Sequence, residues 1–334
     1  MVTESESADG LWAMADLVTP MAVRVIATLR IADHLTQGRH TSPALAEAVD
    51  ADVDALDRVL RHLTTVGVLN RDESGRYALT SRGDALRDDH PDGMRAMLDL
   101  DGAVGRADLA FVQLLHTVRT GEPAFPVHFG RSFWHDLSVD PARSASYAAQ
   151  MGSDVAAWAP HILSAYDWGS LGHVVDVGGG NGTLMIALLT AHPDLRGTVV
   201  ELPSTAEAAR TALTEAGLAD RSDVVGGSFF DPLPPGAGGY LLTAILHDWD
   251  DDAAGAILRR CAQAAGTDGA VFVVEKIGAD GESLRTGMDL RVLAYFGGRE
   301  RGVAELTALA ADTGLRVAAV HPADPLAIVE LTPL

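Results

Sequence analysis

The sequence predicts an α/β chain in two parts: an N-terminal helical, winged-helix-like domain over residues 1–100, and a domain over 101–334 built on a doubly wound sheet. Two observations predict this division. Before residue 100, apolar side chains recur at three- and four-residue steps, which is the period of helices. Beyond His173, short apolar runs alternate with helical segments, as expected of a parallel sheet covered by helices on both faces.

The N-terminal part has the element order of a winged helix. Apolar spacing predicts a first helix with a kink or break near Pro20. Two helices and a hairpin around the turn at residues 72–75 are expected to follow. The predicted elements are a helix from Ser42 to Val49, a helix over 55–66 capped by Asp54, and strands at Val68–Leu69 and Tyr77–Leu79.

A winged helix can bind DNA or serve as a dimerisation module, and the charge favours dimerisation. The formal net charge is -21, whereas DNA binding needs basic surface. The would-be recognition helix offers Arg58, Arg61 and His62 as its bases, against the acids Asp54 and Asp57. We therefore expect a homodimer formed through this domain, and neither nucleic acid nor an anionic membrane as a partner.

Five apolar runs beyond His173 are predicted parallel strands, each followed by a helix or a turn. A terminal hairpin, with strands at 316–321 and 326–331, is expected to close the sheet with one antiparallel strand. The five runs are Val174–Val177, Thr198–Leu202, Val224–Val225, Tyr240–Leu246 and Ala270–Val274.

The strongest motif is a glycine-rich loop between the first of these strands and a helix that begins near Thr183. Gly178 and Gly180 lie at the carboxyl end of the strand, where glycine permits a tight turn and lets a ligand touch the backbone. Glu201 ends the second strand, where an acid can accept hydrogen bonds from both hydroxyls of a ribose. Together these features indicate an adenosine-containing ligand.

The spacing of the glycines distinguishes two such ligands. Dinucleotide loops follow G-x-G-x-x-G and place a pyrophosphate at the helix N-terminus. This loop has G-x-G-x-G spacing, and Asp176 stands directly before it, which suits a ligand with an ammonium group and no phosphate. The sequence favours S-adenosylmethionine (SAM) as the cofactor. A glycine loop needed only for helix–strand packing is the alternative.

His247 follows the fourth predicted strand. Ligands of doubly wound sheets bind outside the carboxyl ends of the strands, so His247 should face the same crevice as Gly178 and Glu201. A phenol, with a pKa of about 10, is mostly protonated at neutral pH, and histidine is suited to take its proton. A strand-end histidine bonded to a backbone carbonyl is the alternative, but beside a SAM loop the general base is favoured.

Two further features have ordinary structural explanations. Asp250, Asp251 and Asp252 precede a helical pattern over 253–265 and are predicted to cap it. A magnesium site is the alternative, but consecutive aspartates point in different directions, so no metal is expected. The single cysteine, Cys261, is expected to be a buried small hydrophobe.

Three motifs together resemble the plant caffeic-acid-type O-methyltransferase family: Asp176–Gly182, Leu246–Trp249 and Gly297–Arg301. Leu17–Ala22 and Ser132–Trp134 resemble its bacterial, anthracycline-tailoring branch. The resemblance implies a Rossmann-like SAM-methyltransferase sheet with an N-terminal dimerisation domain. It also implies methyl transfer from SAM to a phenolic hydroxyl of a small aromatic acceptor, of the polyketide type made in secondary metabolism.

The resemblance also implies site residues. His247 is the general base, and Glu275 and Glu300 flank and orient its imidazole; solvated surface acids are the alternative for these two glutamates. The implied cofactor residues are Asp176, Gly178, Gly180, Glu201, Ser228, Phe229, Thr243 and Trp249. The implied acceptor residues are Phe133, Trp134, Tyr147, Met151, Met288, Arg291 and Tyr295.

Three positions depart from the family pattern. Ser228 stands where the family usually has aspartate, and Thr243 replaces a common lysine, so the contacts to the adenine and to the cofactor carboxylate differ. Arg291 replaces an apolar residue, and it either anchors a carboxylate, ester or quinone oxygen of the acceptor or pairs with an acid such as Asp289.

Three rival functions follow from the same residues. SAM-binding relatives can catalyse hydroxylation, decarboxylation or pericyclic steps, although loss of the base often accompanies that change and His247 is kept. The winged-helix part could belong to a ligand-responsive regulator, and the glycine loop to a nicotinamide oxidoreductase. No basic, apolar leader and no apolar run near the roughly 20 residues of a membrane span is apparent, so a cytoplasmic enzyme is expected.

Overall fold

The computed structural model describes residues 4–278 and 285–334, which fall into two compact units. The first comprises Met1–Leu109 with Asp140–Tyr147, and the second Ala110–Val139 with Ala148–Leu334. The predicted boundary at residue 100 differs from this division by one short helix, 103–108. That helix packs against the preceding segment, where a methyl group on its Gly105 would lie 2.1 Å from the carbonyl oxygen of Asp99.

The first unit has the predicted winged-helix order of helices followed by a hairpin. Its core is made mainly of side chains from the second to the fifth helix and from both strands of the hairpin, including the fully buried Ile26, Leu45, Leu60 and Tyr77. Its elements are α1 (Glu4–Ala15), α2 (Val18–Thr28), α3 (Ile31–Thr36), α4 (Ser42–Val49), α5 (Val53–Thr65), β1 (Leu69–Arg71), β2 (Tyr77–Leu79), α6 (Ser81–Asp84), α7 (Met94–Leu98) and α8 (Ala103–Asp108).

One local prediction in this unit is wrong, and another is confirmed. The N-cap of α5 is Asp52, whose carboxylate accepts the N–H of Ala55 at 2.8 Å, whereas Asp54 lies in the first turn and pairs with Arg58. The predicted break near Pro20 is present: it separates α1 from α2, and Pro20 lies inside the first turn of α2. Proline is tolerated there because the first N–H groups of a helix have no partner within it.

The segment Gly10–Thr28 is long and apolar enough, by length and composition alone, to cross a membrane. The expectation that no apolar run approaches this length is therefore wrong; the segment is interrupted by Asp16 and Arg24, which obscure it in the sequence. One such segment near an N-terminus is weak evidence of a span, because signal sequences and core helices meet the same criterion.

The second unit contains a seven-stranded sheet with the order β5-β4-β3-β6-β7-β9-β8. The neighbours among β3 to β7 pair in parallel, and β9 is antiparallel to both β7 and β8. The prediction of a doubly wound sheet closed by one antiparallel strand is confirmed. The strands are β3 (His173–Val177), β4 (Arg196–Glu201), β5 (Ser222–Gly226), β6 (Gly239–Thr243), β7 (Ala270–Glu275), β8 (Leu315–Ala323) and β9 (Leu326–Pro333).

Helices cover both faces of this sheet. Side chains that alternate along each strand enter two separate cores; for example, Val175 and Val273 enter one, and Val174 and Val274 the other. The helices of this unit are α9 (Leu114–Thr120), α10 (Ala124–Phe129), α11 (Phe133–Ser138), α12 (Pro141–Ala165, shared with the first unit), α13 (Thr183–Ala191), α14 (Pro203–Glu215), α15 (Asp251–Ala265), α16 (Thr286–Phe296) and α17 (Val303–Ala311); the sheet cores include residues of α12, α13, α14, α15 and α17. Short 3₁₀ turns are formed by Leu109–Gln113, Trp168–Leu171 and Leu246–Asp248.

Strand β6 is shorter than predicted. It ends at Thr243 rather than Leu246, because Ala244 takes a left-handed backbone conformation with a φ of 53°. An alanine in this region is uncommon and costs energy, so the surrounding structure must hold it there. The turn Leu246–Asp248 that follows carries His247 at the carboxyl edge of the sheet.

Candidate active site

The glycine-rich loop leaves β3 at the carboxyl edge of the sheet. Gly178 has a φ of 75° and donates its N–H to the carbonyl of Val200 on the neighbouring strand at 2.9 Å. A methyl group at Gly178 would lie 2.5 Å from Cδ1 of Ile245, two residues before His247. Glycine is required here by both conformation and space, and the contact brings the loop next to the segment that follows β6.

Two carboxyl groups support this loop. Asp176 is 2% exposed and lies under the loop, where a methyl group at Gly179 would be 2.6 Å from its Oδ2. Burial, with a smaller effect of Glu201, raises the pKa of Asp176 to about 7. Glu201 accepts N–H groups from Gly180 at 3.1 Å and Leu202 at 2.7 Å, and burial raises its pKa as well. These acids would be stabilised in their charged form by a cationic ligand.

The residues of this crevice fit an adenosyl cofactor. Thr243, at the end of β6, has a buried hydroxyl oxygen that lacks a hydrogen-bond partner among the described residues. Buried polar atoms are normally paired, so this hydroxyl is suited to a polar ligand group. The Glu201 carboxylate has further lone pairs that can accept ribose hydroxyls. The glycine loop provides the close backbone approach that such a ligand needs.

The region predicted to hold the adenine is formed by a short turn and aromatic rings. The Ser228 hydroxyl accepts the N–H of Phe230 at 3.2 Å, so it supports the local turn. The ring of Phe229 meets Trp249 edge to face, with centroids 5.8 Å apart. Ser228 therefore does not reproduce the charge of the aspartate that the family usually has there.

The main chain of His247 is fixed by Glu275 at the end of β7. Oε1 of Glu275 accepts the backbone N–H of His247 at 3.0 Å. Glu275 is 4% exposed, and burial raises its pKa to about 7, although this hydrogen bond and the charge of Arg301 act in the opposite direction. The alternative that Glu275 is a solvated surface acid is excluded by its burial. The bond seen is to the backbone rather than to the imidazole.

Glu300 is partly buried in the loop after α16. Its N–H donates to Oδ1 of Asp289 at 2.9 Å, which ties this loop to the helix. Its negative charge contributes to the raised pKa of Glu275, so the two glutamates act on the same region.

Asp248 is an acid that the sequence reasoning missed. Its Oδ1 lies 3.5 Å from Nε2 of His247, and its side chain is only 10% exposed. Burial raises the pKa of Asp248 to about 6, with the charge of His247 opposing the shift. The available signal was the adjacent His247–Asp248 pair, but residues next to each other rarely share a direction, so only the 3₁₀ turn brings the groups together.

The acidic run after Trp249 has a structural role. Asp250 caps α15 by accepting the N–H of Ala253 at 2.8 Å, as predicted, and Asp251 pairs with Arg301 at 2.8 Å. Within residues 4–278 and 285–334, no three His, Cys, Asp or Glu side chains gather as a metal site would require. Cys261 is fully buried, which raises the pKa of its thiol.

Aromatic side chains form a continuous wall in the second unit. Phe133 stacks on Tyr295, with centroids 6.2 Å apart, and Trp134 stacks on Trp249 at 5.9 Å. Phe296 contacts both Phe133 and Trp134 and joins the two stacks. Through Trp249, the wall reaches Phe229. The structure thus brings together three of the predicted acceptor residues and two of the predicted cofactor residues.

The remaining predicted acceptor residues lie on two helices. Tyr147 and Met151 are on α12, where Tyr147 belongs to the first unit and Met151 to the second. Met288 and Arg291 are on α16, which also carries Tyr295. All four are partly buried, and α16 extends to the loop that contains Glu300.

Comparison with known proteins identifies both parts of the chain. Residues 111–316 match the O-methyltransferase domain family, and residues 12–89 match the O-methyltransferase dimerisation domain. The chain is 57% identical to a 2,7-dihydroxy-5-methyl-1-naphthoate 7-O-methyltransferase of Streptomyces carzinostaticus, over 97% of this chain and 98% of that protein. It is 47% identical to aclacinomycin 10-hydroxylase RdmB of Streptomyces purpurascens, over 91% and 83% of the two chains.

A solved structure agrees with these matches. The O-methyltransferase NcsB1 from neocarzinostatin biosynthesis, crystallised with SAM and 2-hydroxy-5-methyl naphthoic acid, has a TM-score of 0.93 to this chain. The two are 56% identical, and the match covers 97% of this chain and 98% of that one. The chain therefore belongs to the family of SAM-dependent O-methyltransferases, in the bacterial antibiotic-tailoring branch of the caffeic-acid type, as its motifs predict.

Proposed function

We propose that this enzyme transfers the methyl group of SAM to a phenolic hydroxyl of a small polyketide-type aromatic acceptor, with His247 as the general base. The observation that carries the proposal is the position of the His247 turn. It follows β6, the neighbour of β3 in the sheet, and Ile245 of the same segment touches the glycine loop. This contact supports one crevice for the candidate base and the predicted cofactor loop.

The reaction would use these residues as follows. Bound SAM supplies a methyl group on a positively charged sulfur. The imidazole of His247 takes the phenol proton as the acceptor oxygen bonds to the methyl carbon, and the carbon–sulfur bond breaks to leave S-adenosylhomocysteine. Asp248, 3.5 Å from Nε2 of this ring, stabilises the imidazolium that forms. Glu275 holds the backbone of His247, and Glu300 adds negative charge near Glu275.

The cofactor would be held by the loop and its acids. Gly178 and Gly180 permit backbone contact, Glu201 accepts the ribose hydroxyls, and Asp176 faces the ammonium group. Thr243 offers its unpaired hydroxyl to the carboxylate end, in place of the lysine common in the family. Ser228, Phe229 and Trp249 line the adenine.

The acceptor would lie against the aromatic wall. Phe133, Trp134 and Tyr295 are the members of the predicted set that the structure joins by ring contacts, and flat rings suit an aromatic acceptor. Met151 and Met288 complete the pocket in this proposal, and Arg291 anchors a carboxyl group of the acceptor; the acceptor role of Tyr147 stays an implication of the family resemblance. A naphthoate is the acceptor type suggested by the 57% identical relative.

The test is incubation of the enzyme with methyl-labelled SAM and a panel of hydroxynaphthoates, anthracycline phenols and phenolic acids. We expect labelled methyl on a phenolic oxygen, read by mass spectrometry. Arg291→Ala should lose the preference for acceptors that carry a carboxyl group over matched acceptors without one. Unchanged preference would remove the anchoring role of Arg291 while leaving methyl transfer intact.

A second candidate function is SAM-dependent chemistry without methylation. It is favoured by the 47% identical relative, which is a hydroxylase. The presence of His247 favours methyl transfer, because proton removal from a phenol needs a base at that position. Product mass separates the two candidates: one adds a methyl group to the acceptor and the other adds oxygen or removes a carboxyl group.

The assembly that we propose is a homodimer formed through the N-terminal domain. Three large apolar side chains among the described residues of α1 are exposed: Leu11, Trp12 and Met14, with Met14 85% exposed. Arg58 and Arg61 of α5 pair with Asp54 and Asp57, so they offer little free charge to nucleic acid. We also propose a cytoplasmic enzyme with no membrane contact. Light scattering of the enzyme and of Trp12→Asp checks the dimer.

A further inference from the structure

Arg301 is a buried cation directly beside the candidate base. Its side chain is 1% exposed, and it ends the loop 297–301. The guanidinium donates to the carbonyl oxygens of Leu246 and Trp249, each at 2.8 Å, which flank the His247–Asp248 pair. It also donates to Oδ1 of Asp251 from Nε at 3.0 Å and from Nη2 at 2.8 Å. One side chain thus joins three points of the segment 246–251.

Gly298 of the same loop closes on that segment from the main chain. A methyl group at Gly298 would lie 2.2 Å from the carbonyl oxygen of His247 and 2.6 Å from the carbonyl carbon of Asp248. No side chain fits in this gap, so the loop rests directly on the backbone of the two residues. Arg301 and Gly298 therefore both contact the segment 246–251, one through its side chain and the other through its main chain.

The turn needs such support. Ala244 adopts its left-handed conformation without the freedom of glycine, and the turn is only three residues long. A buried guanidinium is costly unless its donors are satisfied, and removing it would take the 2.8 Å donors from the carbonyls of Leu246 and Trp249, leaving Leu246 with the N–H of Trp249 at 3.2 Å. A displacement of about 1 Å in a reacting group can cost roughly 100-fold in rate.

We propose that Arg301 is a positioning residue that fixes the His247 turn in its reactive place. The inference rests on the proposed role of His247 as the base. Arg301 touches neither the acceptor nor the cofactor in this scheme; it acts through the carbonyls of Leu246 and Trp249. Lysine cannot replace it, because a single ammonium cannot reach both carbonyls and Asp251 with the geometry of a fork.

The test is a double-mutant cycle between Arg301→Lys and His247→Ala. Turnover is measured in single-turnover reactions at pH 9, where part of a phenolic acceptor is ionised and the residual rate of His247→Ala can be followed. In the enzyme with His247, we expect Arg301→Lys to lower the rate about 30-fold, within the range for a displaced catalytic group. In the His247→Ala background, the same change should lower the rate less than about twofold, since coupled residues are not additive.

Arg221→Lys is the matched control. Arg221 likewise bridges main-chain carbonyls, those of Leu189, His192 and Leu195, but it lies directly before β5, at the amino edge of the sheet and away from the candidate site. Its replacement by lysine measures how much the single-turnover rate falls when an arginine that bridges carbonyls is lost far from the candidate site. Asp251→Asn is the second variant, because it loosens the guanidinium while leaving Arg301 in place, and it should show a smaller loss that also depends on His247.

The outcomes separate the two proposals. An equal loss from Arg301→Lys in both backgrounds, no loss at all, or the same loss from Arg221→Lys would overturn the positioning role. If Arg301→Lys does not fold, an Asp251→Asn loss that is equal in both backgrounds overturns it. Full turnover by His247→Ala would instead overturn the proposed base. Binding of S-adenosylhomocysteine, measured by calorimetry, should change less than about threefold in Arg301→Lys, as expected when only turnover depends on the displaced group.

Discussion

The carboxyl ends of β3 and β6 lie side by side in the sheet, and each strand is followed by a residue in the left-handed backbone conformation. After β3 that residue is Gly178, with a φ of 75°; after β6 it is Ala244, with a φ of 53°. Glycine adopts this conformation at no steric cost, whereas alanine does so at a cost of about 1–2 kcal/mol. The first loop is therefore shaped by its own sequence, and the second is held by contacts from elsewhere.

Those contacts come from parts of the chain that are distant in sequence. Glu275 accepts the N–H of His247, and Gly298 lies against the carbonyl of His247. Arg301 donates to the carbonyls of Leu246 and Trp249 on either side of the pair His247–Asp248 in the sequence. A cofactor loop that is preformed locally can bind before the acceptor arrives. A base held by tertiary contacts is sensitive to changes far from the chemistry.

The largest expected effect comes from removing the base itself. His247→Ala should lower kcat by about 100- to 10,000-fold, which is the range for a general base, while the affinity for S-adenosylhomocysteine stays within a factor of two or so. His161→Ala, an exposed histidine on α12, is the control and should retain full turnover. A His247→Ala enzyme that turns over normally at neutral pH would contradict the division between the two loops, because both would then serve only binding.

The next largest effect should appear on the cofactor side. Gly178→Ala meets the side chain of Ile245 at 2.5 Å and forces a left-handed alanine, so we expect the affinity for S-adenosylhomocysteine to fall about tenfold or more. Gly217→Ala has a similar φ of 71° but meets nothing within 4 Å, and it isolates the cost of the conformation. Calorimetry measures both. Equal affinities in the two variants would mean that the approach of the loop to Ile245 does not matter for binding.

Whether a feature depends on local sequence or on contacts that are distant in sequence also decides how far the sequence could predict it. The glycine loop, the strand positions and the Asp250 cap were all predictable, because each depends on spacing within a short window. The end of β6, Asp248 and Arg301 were not, because Ala244 has no local signal for a left-handed conformation and the partners of Arg301 lie about 50 residues earlier in the chain. The roles predicted for the site residues came from family resemblance, and they stay predictions.

The carboxyl group beside the imidazole should have a smaller, pH-dependent effect. Asp248→Asn keeps the shape but removes the charge that stabilises the imidazolium, so kcat at pH 8 should fall about tenfold. Burial raises the pKa of Asp248 to about 6, so in the native enzyme this group becomes neutral as the pH falls below that value. The ratio of native to variant kcat should therefore shrink between pH 7 and pH 5. A ratio that is constant over this range would show that the charge of Asp248 does not assist the base.

The smallest expected effect is on the pH dependence of the enzyme's stability, and it comes from Asp176, which lies under the glycine loop. Its pKa in the folded enzyme is about 7, against 3.8 for a free aspartate, so between these values the folded state binds more protons than the unfolded state. The free energy of unfolding of the ligand-free enzyme therefore falls as the pH rises from 4 to 7. Asp176→Asn lacks this titration, so its Tm relative to the native enzyme should rise by a few degrees over that range and level off above pH 7.

Saturating S-adenosylhomocysteine should make the native enzyme the more stable of the two at pH 8, because the ammonium group of the ligand stabilises the charged carboxylate that the variant lacks. A Tm difference that changes with neither pH nor ligand would place the cationic end of the cofactor elsewhere, and it would leave Gly178, Gly180 and Glu201 as the proposed cofactor contacts at this loop.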